Sequence, residues 1–96
     1  MKYLSNAFSL NMIPLGMAEH VRITELRKPP DLSGYTSMVG HANTARVLGV
    51  THNRESIKLL FGDELIVAQH RGQRLPEGAT SLPSGASFRW FKIWLR

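Results

Sequence analysis

The sequence of 96 residues contains no cysteine, and this absence excludes several kinds of chemistry at once. Disulfide frameworks, thiolate zinc sites and cysteine nucleophiles are ruled out, and the composition fits a reducing cytoplasm. Long apolar runs are also missing, since none approaches the roughly 20 residues that a helix needs to cross a bilayer. The N-terminal stretch has a single lysine and an apolar run interrupted by serine and asparagine, which is unlike a signal peptide. We therefore expect a cytoplasmic protein with no membrane partner.

Acidic residues are scarce relative to basic ones. The chain has 12 Lys and Arg against 7 Asp and Glu, which gives a formal net charge of +5. Such an excess favours an anionic partner, for example a nucleic acid, a nucleotide or an acidic protein. The basic residues are scattered, and the longest run is the pair Arg27–Lys28. A polybasic arm is therefore excluded.

No familiar metal or cofactor motif stands out either. The four histidines have no i, i+4 pairing and no neighbouring carboxylate cluster, so a zinc site is unsupported. Glycine-rich phosphate loops of the Walker or dinucleotide type are absent, and no paired acids indicate two-metal cleavage of nucleic acids. We expect neither a metal nor a cofactor.

Apolar periodicity predicts a single α/β domain spanning residues 1–96. We expect one mixed β-sheet of about five strands flanked by few helices. A short amphipathic helix follows His41 and stops at Gly49, a residue type that often ends helices. The core of so short a chain is small, and forming a homodimer would enlarge it. Strands are predicted at 2–8, 19–26, 35–39, 54–61, 64–70 and 87–96, and residues 71–86 are predicted to form a long loop.

His41 lies at the joint between a predicted strand and this helix, in the stretch SMVGHANTARVLG. Free backbone N–H groups at the start of a helix attract anions. Unperturbed imidazole titrates near neutrality, so a histidine at this joint could give a proton to a bound phosphate group. The alternative is a histidine that only caps the helix or lies half-buried at the surface. Both interpretations stay open from the residue alone.

Other polar residues stand at predicted strand ends and loop starts. The carboxyl ends of parallel strands gather along one edge of a sheet, where ligands usually bind. Each of these residues also has an ordinary structural explanation in a turn or on the surface. By themselves they indicate a small α/β protein that binds anions. They are Asn6, Asn11, Arg54, Gln69, Arg74 and Glu77.

Four stretches carry a more specific signal: LSNAFSLNMI, VGHANTARVLG, NRESIKL and LIVAQHRGQRLPEGA, in this order along nearly the whole chain. Together they resemble the viral anti-CRISPR ring nucleases and their cellular and phage relatives. The chain departs from that family just before the predicted strand 35–39. Many relatives have a longer, helical segment there, whereas this sequence has RKPPDLSG. None of the motif residues lies in this short segment.

The resemblance implies a homodimer that binds cyclic tetraadenylate, the messenger of type III CRISPR complexes, and cuts it into linear dinucleotides without a metal. A ribose 2′-hydroxyl would attack the neighbouring phosphate and leave a 2′,3′-cyclic phosphate, while an imidazole protonates the departing 5′-oxygen. The matching positions of the catalytic set are His41, Arg74 and Glu77, and those of the substrate-binding set are Asn6, Asn11, Arg54, Gln69 and Arg74.

Two other classes of function remain open at this point. A non-enzymatic nucleic-acid-binding protein of a virus or mobile element would bind phosphates in a groove lined by the same basic residues. A regulatory or structural dimer would instead use its long loop to contact a protein. His41 separates these classes, because catalysis requires it whereas a phosphate-binding groove mainly needs Arg54 and Arg74. In each case the protein would act in the cytoplasm of a prokaryotic cell, encoded by a virus or by the cell itself.

Overall fold

One mixed five-stranded sheet forms the centre of the computed structural model, which describes residues 1–72, 75, 77–83 and 86–96. The strand order is β2-β5-β4-β1-β3. β1 is parallel to β3 and β4, whereas β5 is antiparallel to β4 and β2. The predicted fold class, a single mixed α/β sheet with few helices, is confirmed. The strands are β1 (Lys2–Ser5), β2 (Val21–Leu26), β3 (Thr36–Ser37), β4 (Glu64–Arg71) and β5 (Ser87–Leu95), and the α-helix is α1 (Ala42–Leu48). Two short 3-10 helices, Leu10–Met12 and Ala18–His20, lie between β1 and β2.

The two faces of the sheet have separate cores. On the helix face, Leu4, Ile66 and Trp90 are buried with Ala45 of α1. On the opposite face, which we call the loop face, the buried side chains of β4 and β5 pack under irregular segments. These loop-face residues are Leu65, Val67, Ile93 and Leu95, and their cover includes Ile13 and Leu59. Because β4 is buried on both faces, its position in the middle of the sheet agrees with its continuous apolar sequence.

The strand predicted at 54–61 is wrong. These residues form no strand in the structure, although Leu59 is fully buried and Ile57 is half-buried. Leu59 donates its backbone N–H to the carbonyl of Met12 at 2.8 Å, so the segment is tied to the short 3-10 helix Leu10–Met12 rather than to a sheet edge. The alternation that resembled a half-buried strand arises because every second side chain covers the loop face.

Two other predicted strands are shorter than expected. β1 ends at Ser5, whose hydroxyl accepts a hydrogen bond from the backbone of Ala7 at 3.4 Å as the chain leaves the sheet. β3 has two residues, and beyond it only Val39 forms an isolated bridge, with His52. The apolar pattern of 35–39 therefore reflects burial of Met38 and Val39 more than strand pairing.

The predicted helix is confirmed at both ends. His41 is the N-cap residue of α1, and Gly49 ends the helix in the left-handed conformation with φ of 72°. Glycine adopts this conformation without the steric cost that a Cβ atom imposes, which explains why the helix stops there.

We expect Leu59→Ala to lower the free energy of unfolding by about 2–5 kcal/mol, because it opens a cavity in the loop-face core. Leu59 is 0% exposed, whereas its neighbour Leu60 is 60% exposed. Leu60→Ala is therefore a matched control, expected to change stability by less than about 0.5 kcal/mol. Urea unfolding followed by tryptophan fluorescence measures both. Equal effects of the two substitutions would contradict the assigned role of the 54–61 segment.

The hydrogen bond between Tyr35 and Glu64 leads us to expect that the free energy of unfolding falls at alkaline pH. Burial, together with the hydrogen bond that its hydroxyl donates to Glu64 and the charge of that carboxylate, raises the pKa of Tyr35 from 10.0 to about 12. The folded state therefore holds the proton more tightly than the unfolded chain. This contribution to stability is complete below pH 10 and is lost as the pH rises through about 12. In urea titrations across this range, Tyr35→Phe should lose stability less steeply than the wild type, and parallel curves would refute the assignment.

Candidate active site

His41 both caps α1 and leaves one ring nitrogen available. Its Nδ1 lies 3.3 Å from the backbone N–H of Thr44, which donates a hydrogen bond to it. Because a backbone N–H can only donate, the neutral ring carries its proton on Nε2. The side chain is exposed, so Nε2 can meet a ligand. The capping role expected as an alternative is thus present, and it orients the neutral ring.

A parallel backbone pairing brings Arg54 next to His41. Val39 and His52 form an isolated parallel bridge, and the backbone N–H of Asn53 donates to the carbonyl of Val39 at 2.9 Å. The residues that follow Val39 and those that follow Asn53 therefore lie close together. They line one cavity of about 600 Å³, whose lining residues are Gly40, His41, Ala42, Asn43, Arg54, Leu75 and Glu77.

This cavity, which we call the His41 cavity, contains an imidazole, a guanidinium and a carboxylate. Arg54 and Glu77 are exposed, and none of the ion pairs among the described residues involves either of them. Leu75 is 6% exposed and anchors this part of the long loop to the protein. An exposed, unpaired guanidinium beside an imidazole suits the binding of a phosphate group.

Asn6 and Gln69 line a second cavity of about 300 Å³ with apolar residues of the loop face. The side-chain oxygen of Asn6 accepts a hydrogen bond from the backbone N–H of Gly40 at 3.1 Å. Asn6 therefore joins the end of β1 to the residue that precedes His41, and the two cavities are neighbours. Gln69 is exposed near the end of β4. Asn6 and Gln69 thus lie together near the carboxyl ends of the parallel strands β1 and β4.

Of the two remaining predicted site residues, Asn11 lines neither of these cavities. Asn11 lies in a separate cavity of about 410 Å³ formed with residues 55–58, where its carbonyl accepts a hydrogen bond from Lys58. Arg74 lies outside the described residues. The described residues of the predicted site thus fall into one group around His41, a neighbouring pair and one asparagine in a third cavity.

Three residues that support this site were missed by sequence reasoning. Thr44 contacts the His41 ring, with its hydroxyl oxygen 3.1 Å from Nδ1. His52 donates from Nε2 to the carbonyl of Gly40 at 3.1 Å, and the side chain of Asn53 donates to the carbonyl of Ser37 at 3.2 Å. The pair His52–Asn53 precedes Arg54 directly, and the tendency of asparagine to form turns is the one signal that could have indicated it.

A slightly larger concavity, of about 620 Å³, lies beside β2 and β5. Its floor includes Leu26, Phe88 and Trp90, and its cations are Arg27, Lys28 and Arg89. Arg89 is already paired with Glu25 at 2.6 Å. Its described lining residues include no imidazole, and their one carboxylate, Glu25, is the partner of Arg89, so its size does not make it the better candidate.

Neither a group of side chains suited to a metal ion nor a membrane-spanning helix occurs in the part of the chain that the structure describes. Across 1–72, 75, 77–83 and 86–96, no three His, Asp or Glu side chains come together in a group that could hold a metal ion. No helix in this part of the chain combines the length and apolar character required to cross a membrane.

The sequence model of the STIV B116-like family matches residues 2–84. The chain belongs to the STIV B116-like family. A solved structure of a similar protein, B116 of Sulfolobus turreted icosahedral virus, superposes with a TM-score of 0.72 over 97% of each chain. At 22% sequence identity this likeness establishes that the chain has the B116 fold. A comparison with curated proteins finds no match. The B116-like family therefore includes a protein of an archaeal virus, and the fold that places His41, Arg54 and Asn6 together is shared with it.

Proposed function

We propose that this B116-like protein is a metal-independent ring nuclease that cleaves cyclic tetraadenylate into linear dinucleotides. The observation that carries the proposal is the His41 cavity, where His41, Arg54 and Glu77 line one space of about 600 Å³. Its residue types suit cleavage of a phosphodiester that brings its own nucleophile, the ribose 2′-hydroxyl. The reaction then requires neither a thiol nor a metal-bound water from the protein.

The cleavage step needs one proton acceptor and one proton donor. The 2′-oxygen forms a bond to the adjacent phosphorus, the bond between phosphorus and the 5′-oxygen breaks, and a 2′,3′-cyclic phosphate remains. The proton of the 2′-hydroxyl passes to Glu77 or to water. The imidazolium of His41 gives its Nε2 proton to the departing 5′-oxygen, which is a poor leaving group without it. General-acid catalysis of this kind is typically worth about 10²–10⁴-fold in rate.

Arg54 stabilises the phosphate during this step. Its guanidinium is exposed on the cavity wall and can donate two parallel hydrogen bonds to phosphate oxygens. Asn6 and Gln69, in the neighbouring cavity, have the donor and acceptor atoms that an adenine edge or a ribose requires. Asn6 has a second task here, since its bond to Gly40 holds the segment that carries His41.

The substrate requires a second copy of the chain. A cavity of about 600 Å³ is of the size that holds one drug-sized ligand, whereas a ring of four nucleotides is considerably larger. Such a ring contains a two-fold axis, so a two-fold dimer presents one His41 to each of two opposite phosphates. Two cuts then release two dinucleotides. Two copies also carry twice the formal charge of +5, which suits four phosphates.

The loop face offers a surface for this dimer. Ile23 of β2 is 56% exposed, and it lines the same cavity as the half-buried Phe8 and Phe91. Asn6 and Gln69 border these apolar side chains. Contact between two such surfaces would bury the apolar residues and bring the polar pair of each copy to the interface. The substrate would then lie where the copies meet.

The proposal is tested by incubating the protein with labelled cyclic tetraadenylate in the presence of EDTA. We expect linear dinucleotides with 2′,3′-cyclic phosphate ends, because no step depends on a metal. A protein that binds the ring or single-stranded nucleic acid tightly but leaves it intact would support the non-enzymatic binding function instead.

Arg54→Ala should weaken binding of cyclic tetraadenylate by about 10–100-fold, the range expected for losing hydrogen bonds to a charged group. Binding is measured by calorimetry with His41→Asn as the background, so that the ring stays intact. Arg96→Ala removes the same charge at the last residue, which follows the end of β5, and serves as the control. Equal losses for both substitutions would show that Arg54 contributes only to net charge.

A further inference from the structure

Thr44 is a polar residue of α1 that is 4% exposed, and its side chain contacts His41. Its hydroxyl oxygen lies 3.1 Å from Nδ1 of the imidazole, and its backbone nitrogen lies 3.3 Å from the same atom. Within the described part of the chain, these are the two hydrogen-bonding groups found at Nδ1. Thr44 thus supplies both contacts on the side of the ring that faces the protein.

The two contacts respond differently when the ring gains a proton. In the neutral ring Nδ1 is an acceptor, and the backbone N–H and the hydroxyl can both donate to it. In the charged ring Nδ1 carries a hydrogen and must donate, which a backbone N–H cannot accommodate. The hydroxyl oxygen can accept that bond. It is therefore the group that can serve Nδ1 in both protonation states.

We propose that Thr44 is a positioning residue for His41, whose hydroxyl changes from donor to acceptor when the imidazole is protonated and so holds the ring in one orientation. The catalytic consequence rests on the proposed ring-nuclease function, because a general acid must pass through both states in each cycle. The orientation itself depends on no substrate. Burial favours this role, since water has little access to replace the hydroxyl, and a β-branched side chain has few rotamers.

The test compares Thr44→Val, which removes the hydroxyl at nearly constant volume, with Thr44→Ser, which keeps it. In protein labelled with ¹⁵N-histidine at acid pH, the wild type and Thr44→Ser should show a protected Nδ1–H signal with a nuclear Overhauser contact to residue 44. Thr44→Val should lose this signal and show averaged side-chain couplings for His41. Its turnover of cyclic tetraadenylate should fall about 10–100-fold at unchanged binding, as expected for one hydrogen bond to a charged group.

Controls separate this proposal from general destabilisation and from the proposed function. Ser37→Ala removes a different hydroxyl, which donates to the backbone carbonyl of Thr51, and it should leave the His41 signals unchanged. Thr44→Ala supplies a second hydroxyl deletion if valine prevents folding. The proposal would be overturned if Thr44→Val and Thr44→Ala kept the wild-type orientation of the imidazole. It would also be overturned if Thr44→Ser lost that orientation. If the orientation of the imidazole changes as expected but the wild type does not cleave cyclic tetraadenylate, the nuclease function fails and the positioning role stands.

Discussion

His41→Ala should slow cleavage of cyclic tetraadenylate by roughly 10²–10⁴-fold, because the 5′-oxygen must then depart unprotonated or with help from water. Binding of the intact ring should change little, since we propose that the contacts to phosphate, ribose and base come from Arg54, Asn6 and Gln69. Single-turnover cleavage and calorimetric binding separate the two effects. The variant should therefore retain the uncut ring as a stable complex.

The capping role of His41 complicates this experiment and also suggests its control. Loss of the hydrogen bond from the Thr44 backbone to Nδ1 costs about 0.5–2 kcal/mol of stability, as for other N-cap residues. His41→Asn keeps an acceptor suited to the N-cap but has no titratable ring. It should be nearly as stable as the wild type and as inactive as His41→Ala. A His41→Asn protein that cleaves at the wild-type rate would eliminate the imidazole as the acid.

Ile23→Glu should convert the proposed dimer to a monomer and abolish cleavage, which is the second large effect that we expect. The side chain is 56% exposed in one copy and belongs to the apolar part of the loop face. A carboxylate placed against an apolar partner surface has to be desolvated without a counter-ion, which costs several kcal/mol. Sedimentation velocity gives the oligomeric state, and circular dichroism shows whether the subunit stays folded.

Thr24→Glu is the matched control for this substitution. Thr24 is the next residue of β2, is also exposed, and points to the helix face because side chains alternate along a strand. Thr24→Glu adds the same charge as Ile23→Glu, and we expect this variant to form a dimer that cleaves cyclic tetraadenylate normally. If the wild type sediments as a monomer and still cleaves, the dimer is unnecessary. If Ile23→Glu remains a dimer, the interface lies elsewhere.

The fold was largely predictable because burial leaves a direct mark on residue types. β4 is apolar on both faces and proved to be central, and Gly49 ended the helix as expected. The same signal failed at 54–61. Alternation of Ile57 and Leu59 with polar residues reports that one side of the segment is covered, but it does not distinguish pairing with a strand from lying across a sheet.

The residues of the candidate site could be named from the sequence, but their arrangement could not. His41 and Arg54 were identified by their motifs, yet their proximity depends on the bridge between Val39 and His52, which joins segments 13 residues apart in their numbering. Asn11 stood in the same motif as Asn6, and the structure places it in another cavity, with Lys58. Thr44 resembled an ordinary helix residue until its hydroxyl was found beside Nδ1.

The sequence by itself determined the fold class, the helix boundaries and the identity of the polar residues at the strand ends. These properties follow from local periodicity, from the conformational freedom of glycine and from side-chain chemistry, which neighbouring residues in the chain express directly. The tertiary structure alone decided which of those polar residues share a cavity. It also decided that Asn6 holds the His41 segment and that Ile23 remains uncovered. Such relations depend on contacts between distant parts of the chain, and no local pattern encodes the direction in which two segments approach each other.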